Sequence, residues 1–154
     1  MADHDATLAR RLLDPRGMSW SRHRFGEHTG EVEMKVEADS LPALFEEAAR
    51  GLADLQAEDT SGPPTRPEER ITLRSSDREA LLVDWLNELL WRGEVNKCVY
   101  ADVKVDRVDD HELDAVVRGR EPRAPRTAVK AATWHGLRIL PRDGAIEATV
   151  VLDV

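Results

Sequence analysis

From Gly93 to its end the chain is written in period two, and no other feature constrains the fold as much. "CVYADVKVD", "ELDAVVRG", "AVKAATW", "GLRILP" and "AIEATVVLD" each hold an alternation of apolar and polar residues over the length of a strand. "PRDG" at 141–144 marks a turn between the last two. An earlier stretch, "EVEMKVE" at 31–37, reads the same way, with Val32, Met34 and Val36 on one face and Glu31, Glu33, Lys35 and Glu37 on the other. Strands that follow one another through short turns pair antiparallel, so the sheet is expected to be largely antiparallel.

Two segments carry helical period instead. After Ser40 as a cap, Leu41, Leu44, Phe45, Ala48, Leu52 and Leu55 recur at spacings of three and four, with Pro42 in the first turn. That predicts a helix over about 41–55. The second opens at Ser76, whose capping box would be completed by Glu79, and its apolar face is Leu81, Leu82, Trp85, Leu86, Leu89 and Leu90. Gly93 is placed to supply its left-handed stop. Between the helices, "EDTSGPPTRPEER" reads as a mobile polar loop that runs into a short strand, "RITLR" at 70–74. The fold class is therefore α+β, a largely antiparallel sheet with two amphipathic helices. Residues 24–154 read as a single domain, and residues 1–23 as a poorly ordered extension without the apolar core of a signal peptide.

Composition narrows the function classes. With 34% charged residues and a net charge of -8, the chain contains no apolar run near the ~20 residues of a membrane helix, so neither a membrane nor bare nucleic acid is the obvious partner. Cys98 is the only cysteine, which leaves no internal disulfide or thiolate zinc cluster and fits a reducing compartment, the cytoplasm. There is no Gly-rich phosphate loop, His-x-x-x-His pair, Gly-x-Ser-x-Gly elbow or cysteine nucleophile beside a base.

What remains is a set of carboxylates that could converge. Glu31 has the parity of the outward face, and "TVVLDV" closes the chain with Asp153 and Val154. If Val154 is the native terminus, its α-carboxylate lies one residue from Asp153, and carboxylates that close favour either full solvation or a cation. Were the strands that carry them neighbours, Glu31, Asp153 and Val154 would offer an all-oxygen site of the calcium or magnesium kind. The plain alternative is a pair of solvated strand-end acids. His28 and His135 read either as ligands or proton-transfer groups, or as surface hydrogen-bonding residues. Lys130, in "AVKAATWH", has the parity of a solvent face. The loop "RGREPRAPR" sets Arg118, Arg120, Arg123 and Arg126 against one glutamate, a basic island that suits phosphate, an acidic protein surface or plain solvation. No aromatic residue interleaves with these arginines to stack bases.

Four stretches, "EHTGEVEMKVEADSLPALFEEAARGL", "DREALLVDWLNELLW", "AVKAATWHGLRI" and "VVLDV", with the order of elements between them, resemble the archease family from about Arg24 to Val154. The resemblance implies a protein that is not itself an enzyme but an activator of the GTP-dependent tRNA- and RNA-splicing ligase. Such a protein promotes guanylylation of the ligase and its multiple turnover, with RNA reached through the ligase. The family's His-Thr-Ala-Asp pattern matches His28, Thr29, Gly30 and Glu31, and its closing Asp-aliphatic pair matches Asp153 and Val154. The resemblance thus implies a divalent cation, calcium first with magnesium or manganese as substitutes, held by Glu31, Asp153 and Val154. His28, Lys130 and His135 would be supporting contacts. Glu31 stands where the family has Asp, Gly30 where it has Ala and Trp134 where it has Tyr; the extra methylene of Glu31 is expected to be absorbed by backbone room at Gly30. Two other classes stay open: a general chaperone or protein-interaction module in which the acids only solubilise, and a small metal-dependent phosphohydrolase using His28 and Glu31.

Overall fold

The structure is a computed structural model that describes residues 8–14 and 17–154, and the side chains among them except those of 8–14, 17, 18 and 28. Every strand pair among these residues is antiparallel. The chain begins with β1 (Leu8–Asp14), β2 (Gly17–His28) and β3 (Glu31–Ala38), and enters α1 (Leu41–Gln56). β4 (Ala57–Asp59) and β5 (Glu68–Arg74) lead to α2 (Arg78–Asn96). Then follow β6 (Val99–Val108), β7 (Glu112–Arg120), β8 (Arg123–Pro125), β9 (Ala131–Thr133), β10 (Ile139–Arg142) and β11 (Ala145–Asp153). The strands divide into three sheets: β1-β2-β3-β11-β10 with β9 also on β11, the three-stranded β5-β7-β6, and the pair β4-β8.

The two helices join the sheets into one core. α1 packs on β6 at one side and on β2 and β3 at the other, and is buried without a break from Ala43 to Ala53. A helix read as amphipathic is thus enclosed all round, and its polar residues must find partners inside. Glu46 does so by accepting the Val105 N–H of β6 at 2.9 Å. Trp85 of α2 is fully buried and donates its indole N–H to the Phe45 carbonyl at 2.9 Å, tying the helices together. Met34, Leu44, Ile71, Leu113 and Leu152 fill the space around them. Burying each such side chain contributes roughly 1.5–3 kcal/mol. No helix among the described residues is long and apolar enough to cross a membrane.

Several expectations change in detail. Residues 8–14 and 17–23, expected to be loosely ordered, pair as β1 and β2, and β2 continues to His28 against β3; residues 1–7 and 15–16 lie outside the described residues. The alternation of β2 is masked because its inward positions include Ser21 and His23, which are polar yet buried. The cap of α2 is Asp77, whose carboxylate accepts the Ala80 N–H at 2.8 Å, one residue beyond the expected Ser76. Gly93 does not stop α2, which runs on to Asn96 with Lys97 in the left-handed conformation. A Cβ at Gly93 would lie 2.7 Å from the Cys98 carbonyl oxygen, so glycine is required there by the close return of the chain. In the segment read as a loop, β4 and β8 form a short ladder.

Candidate functional site: an acidic tip where β3 and β11 end

Burial of Val32, Met34, Val36 and Ala38 against the helices turns Glu31 to the other side of the sheet, and burial of Val150 and Leu152 does the same for Asp153. The β3–β11 register sets Asp153 opposite Glu31. Paired residues share a face, so both carboxylates leave the same side of the same end of the sheet. The neighbouring chain completes this end: Val154 N–H donates to the Gly30 carbonyl at 3.2 Å, and Lys130 N–H donates to the Asp153 carbonyl at 2.8 Å. Gly30 turns the chain from β2 into β3 at φ +74°, a conformation that suits glycine. A Cβ there would meet nothing, so Gly30 serves the turn and does not relieve crowding from the longer Glu31 side chain.

The third strand of the tip is fixed from below. Asn87 of α2 accepts the Ala132 N–H at 2.8 Å and donates to the Ala132 carbonyl at 3.2 Å, holding both backbone groups at the middle of β9. Ala131 lies opposite Asp153 in the ladder, so this clamp fixes the strand whose preceding residue, Lys130, bonds the Asp153 backbone. The Lys130 side chain is exposed, while Asp153 and Val154 are half-buried and Glu31 is exposed.

Other expected site residues are placed differently. His28 is the register partner of Glu31, and its side chain lies outside the described residues. His135 does not join the tip: β9 runs away from Asp153, and His135 follows in a turn closed by Leu137 N–H on the Trp134 carbonyl. Of the arginines, Arg118 binds Glu68 at 2.8 Å, Arg123 faces Asp59 at 3.8 Å and Arg126 donates to the Asp54 carbonyl at 3.4 Å. Arg120 is buried at the end of β7. Arg126 and Lys130 share a groove of about 910 Å³ with Asn87, Leu90, Val129 and Trp91, whose ring is 61% exposed.

The donors at the tip are carboxylates, a hard set suited to a calcium- or magnesium-like cation. Among the described residues, which leave out the His28 side chain, no three His, Cys, Asp or Glu side chains form a cluster.

A model of the Archease protein family matches residues 23–154, a span that takes in α1, α2 and every strand of the tip. The chain belongs to the archease family. It is 34% identical over 136 residues to protein archease of Methanothermobacter thermautotrophicus, covering 84% of this chain and 96% of that one. It is 33% identical over 138 residues to protein archease of Methanopyrus kandleri, covering 83% and 96%. The solution structure of Methanobacterium thermoautotrophicum protein 1598 superposes with a TM-score of 0.69 at 30% identity, covering 86% of this chain and 98% of that one. The crystal structure of an archease from Thermotoga maritima, described as a possible chaperone, shares the fold with a TM-score of 0.61 at 22% identity, covering 83% and 94%.

The family match begins at a residue that sequence reasoning passed over. His23 is 4% exposed and stands between two acids of α1, its Nδ1 against Glu47 and its Nε2 3.1 Å from Asp54. Ser21 donates to the other Glu47 oxygen at 2.7 Å, and Arg50 reaches that oxygen at 3.2 Å. Burial alone would push the imidazole down, but its hydrogen bonds to Asp54 and Glu47 outweigh this and raise its pKa from 6.5 to about 9. Burial would likewise push Glu47 up, but the His23 hydrogen bond and the Arg50 charge hold it below the ordinary value. The cluster is matched in charge and buried except at Asp54, which is half-buried, so it clamps β2 to α1. One signal could have revealed it: Glu47, Arg50 and Asp54 form a charged stripe at i, i+3, i+7 beside apolar neighbours.

Proposed function

We propose that this protein is an activator of the GTP-dependent RNA-splicing ligase, working through the acidic tip as a protein that does no chemistry alone. The register that sets Glu31 opposite Asp153, with Val154 tied to Gly30, carries this reading. Glu31, Asp153 and Val154 would hold a divalent cation, with calcium first and magnesium or manganese as substitutes. Such a cation supplies Lewis-acid charge that offsets phosphate oxygens. The residues of the chain do the positioning. Asn87 and the Lys130–Asp153 backbone bond fix the strand ends, and the exposed Lys130 ammonium offers a contact for phosphate next to the acids. His28 would border the site as the partner of Glu31, whereas His135 would touch the ligase farther along. RNA would be met through the ligase, in the cytoplasm, where the buried and unbridged Cys98 would stay reduced.

A second reading, a metal-independent chaperone or interaction module, is favoured by the groove with its exposed Trp91 beside Lys130. RNA ligation by the cognate ligase, with RNA in large excess, separates the two. The expected result is many turnovers with the wild type and a single one with the Glu31→Ala/Asp153→Ala variant. Equal stimulation by both proteins, or protection of unrelated clients from aggregation by both, would favour the second reading.

A further inference from the structure

Three of the four arginines between 118 and 126 reach carboxylate or carbonyl oxygens within 4 Å; among the described residues Arg120 leaves its Nη1 without a hydrogen-bond acceptor. It is 5% exposed, and its Nη1 is sealed from solvent with no hydrogen-bond partner among the described residues. A guanidinium keeps its charge in a protein, and a buried donor nitrogen of it without an acceptor is a cost that the folded chain carries. Asp59 is close enough for its charge to offset part of that of Arg120, but its carboxylate accepts from the Ser61 N–H at 3.0 Å and the Ser61 hydroxyl at 2.6 Å and leaves Nη1 without an acceptor.

The backbone of Gly62 passes close to the guanidinium. A Cβ added there would lie 2.7 Å from Nη1, and Gly62 sits at φ +97°, so this cover is shaped by the lack of a side chain. The cover is tied at its flanks. Thr60 donates to Asp54 at 2.8 Å, the N–H groups of Thr65 and Arg66 share the Gly119 carbonyl at 3.0 Å, and Glu121 N–H binds the Thr65 hydroxyl at 2.7 Å. Between these ties residues 61–64 are exposed, and Pro63 and Pro64 have no N–H with which to fasten it.

We propose that Arg120 is a receptor for a small oxyanion of the phosphate class, with residues 61–64 as a cover that lifts to admit it. The planar fork of a guanidinium matches the oxygens of a phosphate, which offers more acceptors than a carboxylate. With the cover down Nη1 is sealed from solvent, so binding there is coupled to opening. The site is separate from the acidic tip and stands whether or not the tip binds a metal.

The test is thermal unfolding of the full chain in phosphate-free buffer, with added inorganic phosphate, and with sodium acetate at matched ionic strength. Phosphate should raise the wild-type Tm saturably, by roughly 3–6 °C once it exceeds its Kd about tenfold, and acetate should not. Arg120→Met should abolish the response while unfolding, without phosphate, no lower than the wild type. Gly62→Ala, which strains the closed backbone at φ +97° and crowds Nη1, should favour the lifted cover and bind phosphate more tightly by calorimetry, a result that does not depend on Arg120→Met folding. The proposal is overturned if the wild type shows no saturable rise over the salt control, if Arg120→Met keeps the rise, if Gly62→Ala binds no tighter, or if acetate reproduces the effect, which would make this a carboxylate site.

Discussion

Glu47 and Asp54 on one side of the large sheet and Glu31 and Asp153 on the other are two pairs of acids treated in opposite ways. The first pair lies under β2, where His23 and Arg50 neutralise it and Ser21 takes a remaining oxygen lone pair. The second stands at the open end of β3 and β11, where no cation among the described residues is paired with either acid in the folded chain. A buried charge must be matched when the chain folds, because no water will do it later. A charge at an exposed strand end can wait for a ligand. The contrast therefore separates acids that hold the fold from acids left over for something else.

Removing Glu47 should have the largest effect. Glu47→Ala leaves the His23 imidazolium and Arg50 buried without their shared acceptor, and a cost of about 3–5 kcal/mol is expected in urea unfolding. A loss below about 1 kcal/mol would mean that the cluster is soft, and the contrast with the tip would fail.

The alkaline limb of stability tests the same cluster from the proton side. The folded pKa of His23 is raised from 6.5 to about 9, so its contribution is fully present below pH 6.5 and is lost as the pH climbs toward 9. Integrated over that window the loss amounts to about 3 kcal/mol at most. Glu47 acts in the opposite direction: its depressed pKa gives stability above its ordinary value near 4.5, lost as the pH falls through the folded one. Calorimetry of the wild type between pH 6 and 10 should show a falling Tm whose slope flattens in His23→Gln. Parallel slopes in the two proteins would place the titration elsewhere.

The same distinction explains what could be read from the sequence. β3, β11 and both helices were legible because their buried positions are apolar and recur at the right period, as Val32, Met34 and Val36 do. β2 was not, because its inward positions include Ser21 and His23, and a pattern that counts apolar residues cannot see a polar residue that is buried with partners. Asp77 and Ser76 are adjacent residues of similar capping ability, so only the geometry of the bond to Ala80 decides between them. Glu31 and Asp153 were legible as outward acids, but their meeting depends on β3 pairing with β11 across more than a hundred residues of chain, which no local pattern encodes. Arg120 could not be told from Arg118, Arg123 and Arg126 by type or spacing; burial under Gly62 is what separates it.

The smallest effect should come from the tip, and its smallness is the point. Glu31→Gln with Asp153→Asn replaces two like charges at paired positions with neutral groups of the same shape. The expected change in stability is within about 0.5 kcal/mol, on the stabilising side because like charges directly opposite destabilise a ladder. Calcium should reverse that ranking, raising the Tm of the wild type and leaving the variant unmoved, since only the wild type keeps the charged donors. If the metal-free variant instead lost more than about 2 kcal/mol, these acids would be holding the strand ends together, and the tip would belong with the clamp under β2 as structure. A tip whose removal costs the fold nothing, and whose charge is satisfied only by an added cation, is one that folding has left for a partner to complete.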